Sequence, residues 1–366
     1  MNPTDLLRKI IQIKSISGEE KAIINYVFEW LKNKGLNPVI QDGNVVLNIP
    51  GKNSSKAIVL NGHLDTVSPG NISQWQQNPF EPLLKGDKLF GLGASDTKGG
   101  VAAFLELAEF FSENKPPVDI WFSFVTREEL DGLGTKSFVS WFVKNNNYKK
   151  VAAIVCEPTS LKTVEIGHKG NAFLKVTVKG QSGHGSRPWL IKKHAILEAY
   201  KIIEDTEIKN KSWKEKYSDD LIGFPTISLT GISSGALDSP NKFPETCILQ
   251  LDIRTTPLLH SKLDWEVKNW LSKFNVEYKY IVEPAPFGYC NEKEEIVEAI
   301  KHAVPKIKVV ASDGATDQCF FSQKGIPAII FGPGEKEQSH QLNECCYPKQ
   351  ISLAIEIYKK IIEKWA

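Results

Sequence analysis

Four short runs in this chain carry almost no polar residue: Ala57–Asn61 (AIVLN), Val118–Thr126 (VDIWFSFVT), Val151–Cys156 (VAAIVC) and Pro327–Gly332 (PAIIFG). A strand with one face in water alternates apolar and polar side chains. These runs do not, so each is expected to be covered on both faces. Lys98–Phe111 and Thr135–Lys144, which lie between the runs, carry apolar residues at helical spacing, and an amphipathic helix, Ile351–Trp365, closes the chain. Strands and helices taking turns in this way specify an α/β fold with a mainly parallel sheet and helices on both faces.

The fourth run lies far from the first three, so the sheet domain is interrupted. With 366 residues the chain is also longer than one core usually supports, roughly 250 to 300 residues. The interruption has its own texture. Phe173–Lys179, Thr226–Thr230 and Cys247–Arg254 alternate, Ile191–Glu204 and Leu263–Phe274 are helical, and Glu277–Val282 reads as a strand. The order βαββαβ describes a small α+β sheet with two helices on one face. The expected division is a sheet domain of residues 1–169 and 285–366 with residues 170–284 inserted. Within the insertion, the charged stretch Lys209–Lys216 reads as a solvated loop.

Composition narrows the partners. A net charge of +2 from 45 basic and 43 acidic residues supplies no field that would gather nucleic acid or an anionic membrane, so small molecules are the expected ligands. Met1–Glu20 reads as a helix laced with charge, without the apolar region of a signal peptide, and no window approaches the roughly 20 apolar residues of a membrane span. Six scattered cysteines without a CxxC pair read as reduced thiols, which suits a cytoplasmic protein. Cys345 and Cys346 are adjacent, where an ordinary disulfide would be strained.

The chemistry-bearing residues follow the apolar runs. In an open α/β sheet, reactive groups collect at the carboxyl ends of the strands. His63 and Asp65 follow the first run, Glu128 and Glu129 the second, Glu157 the third and His340 the fourth, while Asp96 stands just before a helix. Taken singly, His63 fits a hydrogen-bonded structural histidine and Asp96 a helix cap. Taken together, carboxylates crowded at one edge repel one another unless a cation neutralises them, and a pair of divalent ions supplies that charge. Imidazole plus carboxylate without thiolate suits zinc, cobalt or manganese, with zinc the choice by availability. Asp65, two residues beyond His63, is placed to accept the second imidazole N–H rather than to bind metal. Of the neighbours Glu128 and Glu129, one can face metal and the other the attacking water. A nucleotide reading of GLGASD lacks the third glycine, and no GxSxG elbow is present.

The segments NGHLDTV, GLGASDTKGG, TREELDG, CEPT, GQSGHGSRP and SHQLNE together resemble the dizinc amidohydrolase family. That family includes acetylornithine deacetylase, succinyl-diaminopimelate desuccinylase, aminoacylase and related carboxypeptidases and dipeptidases. The resemblance implies that Asp96 bridges two metals, with His63 and Glu157 on one and Glu129 and His340 on the other. It also implies that Glu128 is the general base and that the Asp96–Thr97 peptide is cis. The insertion then corresponds to a lid and dimerisation domain. Its His184 would reach the partner subunit's site to stabilise an oxyanion, and its Asn241 and Arg254 would hold the substrate's carboxylate or acyl end. Without the resemblance, the favoured reading of each of the three is a turn, a cap or a surface ion pair. The chain departs from the family pattern at Arg127, where an acidic residue is common, and at His194, where asparagine is common.

GHKG (Gly167–Gly170) and GPGEKEQSHQLNE lean towards acetylornithine deacetylase, while GATDQ (Gly314–Gln318) is common to more members. The expected activity is therefore hydrolysis of an amide in an N-acyl amino acid, of the acetylornithine or succinyl-diaminopimelate kind, by a homodimer. A metallo-carboxypeptidase or dipeptidase acting on short peptides is the alternative. A non-catalytic relative serving as an interaction module is the more remote one.

Overall fold

The computed structural model describes residues 2–312 and 314–366. The chain divides into two compact units. One comprises Met1–Gly167, Gly288–Ala311 and Thr316–Ala366, and the other His168–Phe287 with Ser312–Ala315.

In the first unit the apolar runs become neighbours. Strand Val118–Val125 pairs in parallel with Asn53–His63, which pairs in parallel with Lys150–Val155, which pairs in parallel with Ala328–Ile330. Antiparallel strands not read from the sequence flank this centre. Asn44–Ile49 and Val39–Gln41 lie on one side and Thr163–His168 on the other. All of Val118–Val125 is buried, which is why its sequence does not alternate. Ala57 and Val59 pack against Phe138 and Phe142 of the helix Leu133–Asn145 and against Phe321. On the opposite face, Phe122 meets Phe104 of the helix Gly99–Glu113, and Phe104 meets Tyr358 of the closing helix Pro348–Trp365. The α/β class with helices on both faces of a mainly parallel sheet is thus what the chain adopts.

The amino-terminal reading needs correction. Met1 lies outside the described residues, and the helix is confined to Pro3–Gln12, with a second helix over Lys21–Asn33. The stretch between them is held to the sheet edge, where Ile16 bridges to Thr66 and the Ser15 hydroxyl donates to the Leu64 carbonyl at 2.8 Å. Long-range pairing overrides helix propensity there. Among the described residues no helix is long and apolar enough to cross a membrane. All six cysteines are buried free thiols.

The second unit is an antiparallel sheet ordered Thr226–Ser234, Thr246–Thr255, Gly170–Lys179, Val276–Tyr280. Its core draws on Ala199, Ile202 and Trp213 of the helix Ala195–Tyr217 and on Val267 and Trp270 of Leu263–Leu271. Lys209–Lys216 is therefore not a solvated loop but the last turns of a 23-residue helix. Helical spacing puts Lys209, Trp213, Lys216 and Tyr217 on one face, and there they surround the buried Glu266. Its carboxylate accepts from Lys209 Nζ (2.9 Å), Trp213 Nε1 (2.9 Å), Lys216 Nζ (3.1 Å) and the Tyr217 hydroxyl. Charge density alone could not reveal that two of these lysines are counterions to a residue 50 or more positions away.

Burial alone would raise the pKa of Glu266, but these four donors outweigh it and hold the carboxyl at about 2, below its ordinary 4.5. A depressed folded-state pKa stabilises the native chain above pH 4.5, and that contribution fades as the pH falls towards about 2. Glu266→Gln is expected to cost about 1.5–3 kcal/mol at neutral pH, the scale of hydrogen bonds to a charged group. In denaturation curves the gap between variant and parent should narrow below pH 4.5. An equal gap at pH 7 and about pH 3 would mean that the charge of Glu266 is not what stabilises the unit.

Candidate active site

The parallel order of the sheet decides which side chains meet. His63 ends the central strand Asn53–His63, flanked by Val118–Val125 on one side and Lys150–Val155 on the other. The Glu128–Glu129 turn and Glu157 therefore emerge on either side of it. Asp96 comes from a turn that opens the helix Gly99–Glu113, and that helix approaches the sheet closely. A Cβ on Gly100 would fall 1.9 Å from Cys156 Sγ, so only glycine fits. Thr97 Oγ1 donates to the Cys156 carbonyl at 3.0 Å, and the Asp96–Thr97 peptide is cis.

Asp96 stands between two imidazoles. Its Oδ1 is 3.1 Å from His63 Nε2 and its Oδ2 is 3.8 Å from His340 Nε2. His340 Nε2 also lies 2.8 Å from Glu129 Oε2, and His63 Nε2 lies 3.9 Å from Glu157 Oε1. Candidate ligand atoms of His63, Asp96 and Glu129 are all within 4.8 Å of one another, as are those of His63, Glu128 and Glu157. The structure thus brings His63, Asp96, Glu128, Glu129, Glu157 and His340 to one edge.

Asp65 supports this edge differently from the sequence reading. The near partner of His63 Nδ1 is the Asp65 backbone carbonyl at 3.0 Å, with the carboxylate farther away at 3.6 Å. A carbonyl only accepts, so Nδ1 carries the proton and Nε2 is directed at Asp96. The Asp65 carboxylate instead accepts the backbone N–H of Glu128 (3.2 Å) and of Glu129 (3.1 Å), and the Ser17 hydroxyl (2.6 Å). One residue therefore orients the imidazole and fixes the backbone that carries both glutamates.

The electrostatics are those of a site short of positive charge. Burial, and then Glu157, push the Glu128 carboxyl well above its usual range, and burial and then Asp96 do the same to Glu157. Burial also raises Glu129. Burial would lower His63, but Asp65, Asp96, Glu157 and Glu128 outweigh it and lift the imidazole well above 6.5. His340, hydrogen-bonded to Glu129, is pushed up to about 9. Glu157 Oε1 is buried without a hydrogen-bond partner. An unpartnered carboxyl oxygen among crowded acids and imidazoles is the environment a divalent cation fits. Cys156, raised to about 12 by burial, stays a thiol facing Tyr358 and adds no sulfur ligand.

Three contributors escaped the sequence reading. Ser17 lies 48 positions from its partner Asp65. Asp317, inside the GATDQ segment, is buried and pushed up to about 7 by that burial, and its Oδ2 accepts from Thr135 Oγ1 at 2.6 Å. Glu344, at the end of SHQLNE, is buried against the Asp96 turn and raised to about 8 by burial, against the pull of backbone N–H groups. The segments GATDQ and SHQLNE mark the neighbourhood of the last two but not their roles, since each of the three acts through a partner distant in sequence.

His184, Asn241 and Arg254 belong to the second unit. His184 and Asn241 adjoin, because Gly183–His184 pairs with Lys242–Phe243 and the Gly185 N–H donates to the Asn241 carbonyl at 2.6 Å. His184 Nδ1 accepts the Ser186 N–H at 3.2 Å, which leaves the proton on Nε2. Arg254 Nη2 donates to Asp252 Oδ2 at 2.9 Å. As for the departures, Arg127 pairs with Asp131, and His194 caps the helix Ala195–Tyr217 with its edge on Phe243.

Residues 59–364 match the family described as peptidase family M20/M25/M40. The chain belongs to that family. The succinyl-diaminopimelate desuccinylase of Wolbachia pipientis wMel is 28% identical to it, over 100% of this chain and 94% of the relative. The acetylornithine deacetylase of Proteus mirabilis (strain HI4320) is 28% identical, over 99% of this chain and 96% of the relative. The crystal structure of the M20 family metallo-carboxypeptidase Sso-CP2 from Sulfolobus solfataricus has the same fold. It superposes with a TM-score of 0.82 at 19% identity, covering 100% of this chain and 99% of that one. This M20 chain is accordingly a hydrolytic enzyme.

The placement of Asp65 in this M20 protein gives a direct test. Asp65→Ala frees the Glu128 and Glu129 amides, and zinc affinity measured by chelator competition should fall about 10- to 100-fold, as for partners that orient metal ligands. Unchanged affinity would show that the Asp65 carboxylate does not organise the edge.

Proposed function

We propose that this chain hydrolyses the amide bond of an N-acyl amino acid of the acetylornithine or succinyl-diaminopimelate kind, at a pair of divalent ions. The observation that carries the reading is a single carboxylate, Asp96, set between two imidazoles beside a buried and unpartnered Glu157 oxygen. Asp96 would face both ions, with His63 and Glu157 on one and Glu129 and His340 on the other. Zinc suits this donor set, and cobalt and manganese are compatible with it. When bound, such ions polarise the scissile carbonyl and acidify a water.

The side chains do the rest. Glu129 is committed to His340, whereas Glu128 is not, which makes Glu128 the base. It takes a proton from the attacking water as the C–O bond forms and returns it to the amine nitrogen as the C–N bond breaks, leaving a carboxylate and a free amine. The Nε2–H of His184 is the donor to the oxyanion, reaching the site of a partner subunit in a homodimer. Asn241 and Arg254 grip the carboxylate or acyl end of the substrate, Asp252 orienting the guanidinium. The two curated relatives favour N-acyl amino acids over peptides. Buried free thiols agree with a reducing, cytoplasmic setting.

The first test is a substrate panel of acetylornithine, succinyl-diaminopimelate, acetyl-citrulline and simple dipeptides, run before and after chelation and zinc return. Preference for dipeptides would overturn the deacylase reading in favour of a peptidase. In Glu128→Ala two ions should remain bound while turnover drops by about 10²- to 10⁴-fold, the usual scale of a lost general base. Loss of one ion would make Glu128 a ligand instead.

His184→Ala should cost about 2.7–4 kcal/mol of transition-state stabilisation, as for one oxyanion donor. Mixing it with Glu128→Ala should return part of the activity through heterodimers. No recovery would argue that the site is complete within one chain.

A further inference from the structure

We propose that Glu344 is a positioning residue whose carboxylate clamps the Gly93–Asp96 backbone and so holds the Asp96 carboxylate between His63 and His340. The inference rests on the metal-site reading above and deepens it. Glu344 is 1% exposed. Its Oε2 accepts the Gly93 N–H at 2.7 Å, and its Oε1 accepts the N–H groups of Ser95 (2.8 Å) and Asp96 (3.0 Å). Three amides of one turn converge on this one carboxyl group, the concave arrangement of backbone N–H groups that elsewhere cradles anions, here filled by the chain itself. The turn depends on Gly93, whose φ of 77° lies in the left-handed region, where a Cβ would meet Thr66 Cγ2 at 2.7 Å.

The clamp is tied to the second imidazole. Glu344 follows His340 by four residues, and its own carbonyl accepts the Gly91 N–H at 2.9 Å. Immediately afterwards Cys345 pairs with Phe90 and Cys346 with Leu89, which fixes the register of the two segments. At the other end of the contact, Ser95 Oγ donates to the Glu335 carbonyl at 2.9 Å. The segment that presents His340 thus also sets the position of the carboxylate facing it. Both oxygens of a carboxyl group can accept, which suits a glutamate to this task although it adds an acid to an acidic region. Glutamine would keep one accepting oxygen for Ser95 and Asp96 but turn an NH₂ against the Gly93 N–H.

Glu344→Gln and Glu344→Ala test this, with Glu337→Ala, exposed on the same segment, as the control. In metal-free protein, exchange of the Gly93, Ser95 and Asp96 amides should accelerate by about tenfold or more in Glu344→Ala and by less in Glu344→Gln. Zinc affinity from chelator competition should fall about 10- to 100-fold in Glu344→Gln and further in Glu344→Ala, and the visible spectrum of the cobalt-loaded form should shift. The control should match the parent in all three. Unchanged exchange, or faster exchange with zinc affinity and cobalt spectrum intact, would overturn the proposal, the second result leaving Glu344 a purely structural residue. If the alanine variant does not fold, the glutamine variant carries both measurements. A parent that takes up no zinc would instead defeat the metal-site reading, and exchange in metal-free protein would still decide whether the clamp exists.

Discussion

Like-charge crowding at the edge of a buried parallel sheet is the constraint around which the first unit is arranged. Adjacent strands that run the same way must end at the same edge, so whatever follows them is delivered to one place. Here that means Glu128 and Glu129 on one side of His63 and Glu157 on the other, with Asp96 approaching from the helix that covers the sheet. Burial makes Glu128 and Glu157 stronger proton acceptors, and a neighbouring carboxylate adds to the effect in each, while Asp96, although buried, is held below its ordinary range by His63. Such a cluster gives nothing to stability, so its presence argues for a cationic ligand rather than for packing.

Holding such a cluster together requires supports that are not themselves part of it. Asp65 is one, its carboxylate spent on two backbone amides and a serine hydroxyl and its carbonyl on the imidazole. Thr97 is another, bonded to the carbonyl of Cys156 where Gly100 lets the helix come close. These supports act on the backbone, where a side-chain ligand is easiest to aim. Displacing an amide by a few tenths of an ångström re-aims the side chain it carries, which is why residues that touch no metal can govern metal affinity.

How much of this was legible in the sequence follows from where each signal resides. The strands of the central sheet were readable because burial on both faces leaves an uninterrupted apolar run, and the polar residues after them stand out against it. The flanking antiparallel strands were not: Val39–Gln41 has three residues with Val39 and Ile40 exposed, and polar residues interrupt the other two, Asn48 in Asn44–Ile49 and Glu165 and His168 in Thr163–His168. Lys209–Lys216 was misread because a charged run looks the same whether it faces water or a buried Glu266. Asp317 and Glu344 lie inside the noted segments GATDQ and SHQLNE but, like Ser17, had no role readable from them, since their roles exist only through partners brought up by the fold. His184, Asn241 and Arg254 were named by resemblance alone, and within their own unit Ser186, the Gly185 amide and Asp252 are their hydrogen-bond partners.

The charge state of the metal-free edge carries a thermodynamic consequence. Without a cation, positive charge comes from protons, with His63 lifted well above 6.5 and His340 to about 9. An imidazole must be neutral to coordinate, so an incoming ion displaces protons as well as relieving the carboxylates. Binding is therefore coupled to pH with a definite sign. With His340 as a ligand in the way proposed, an ion entering at neutral pH would have to expel its proton, and as the pH rises towards about 9 that cost would disappear and affinity grow. Because any ligand held only by the native state stabilises it, the stabilisation contributed by metal would grow with pH over the range in which the metal-free chain loses the protons that hold its acidic edge together, so that the two changes offset one another.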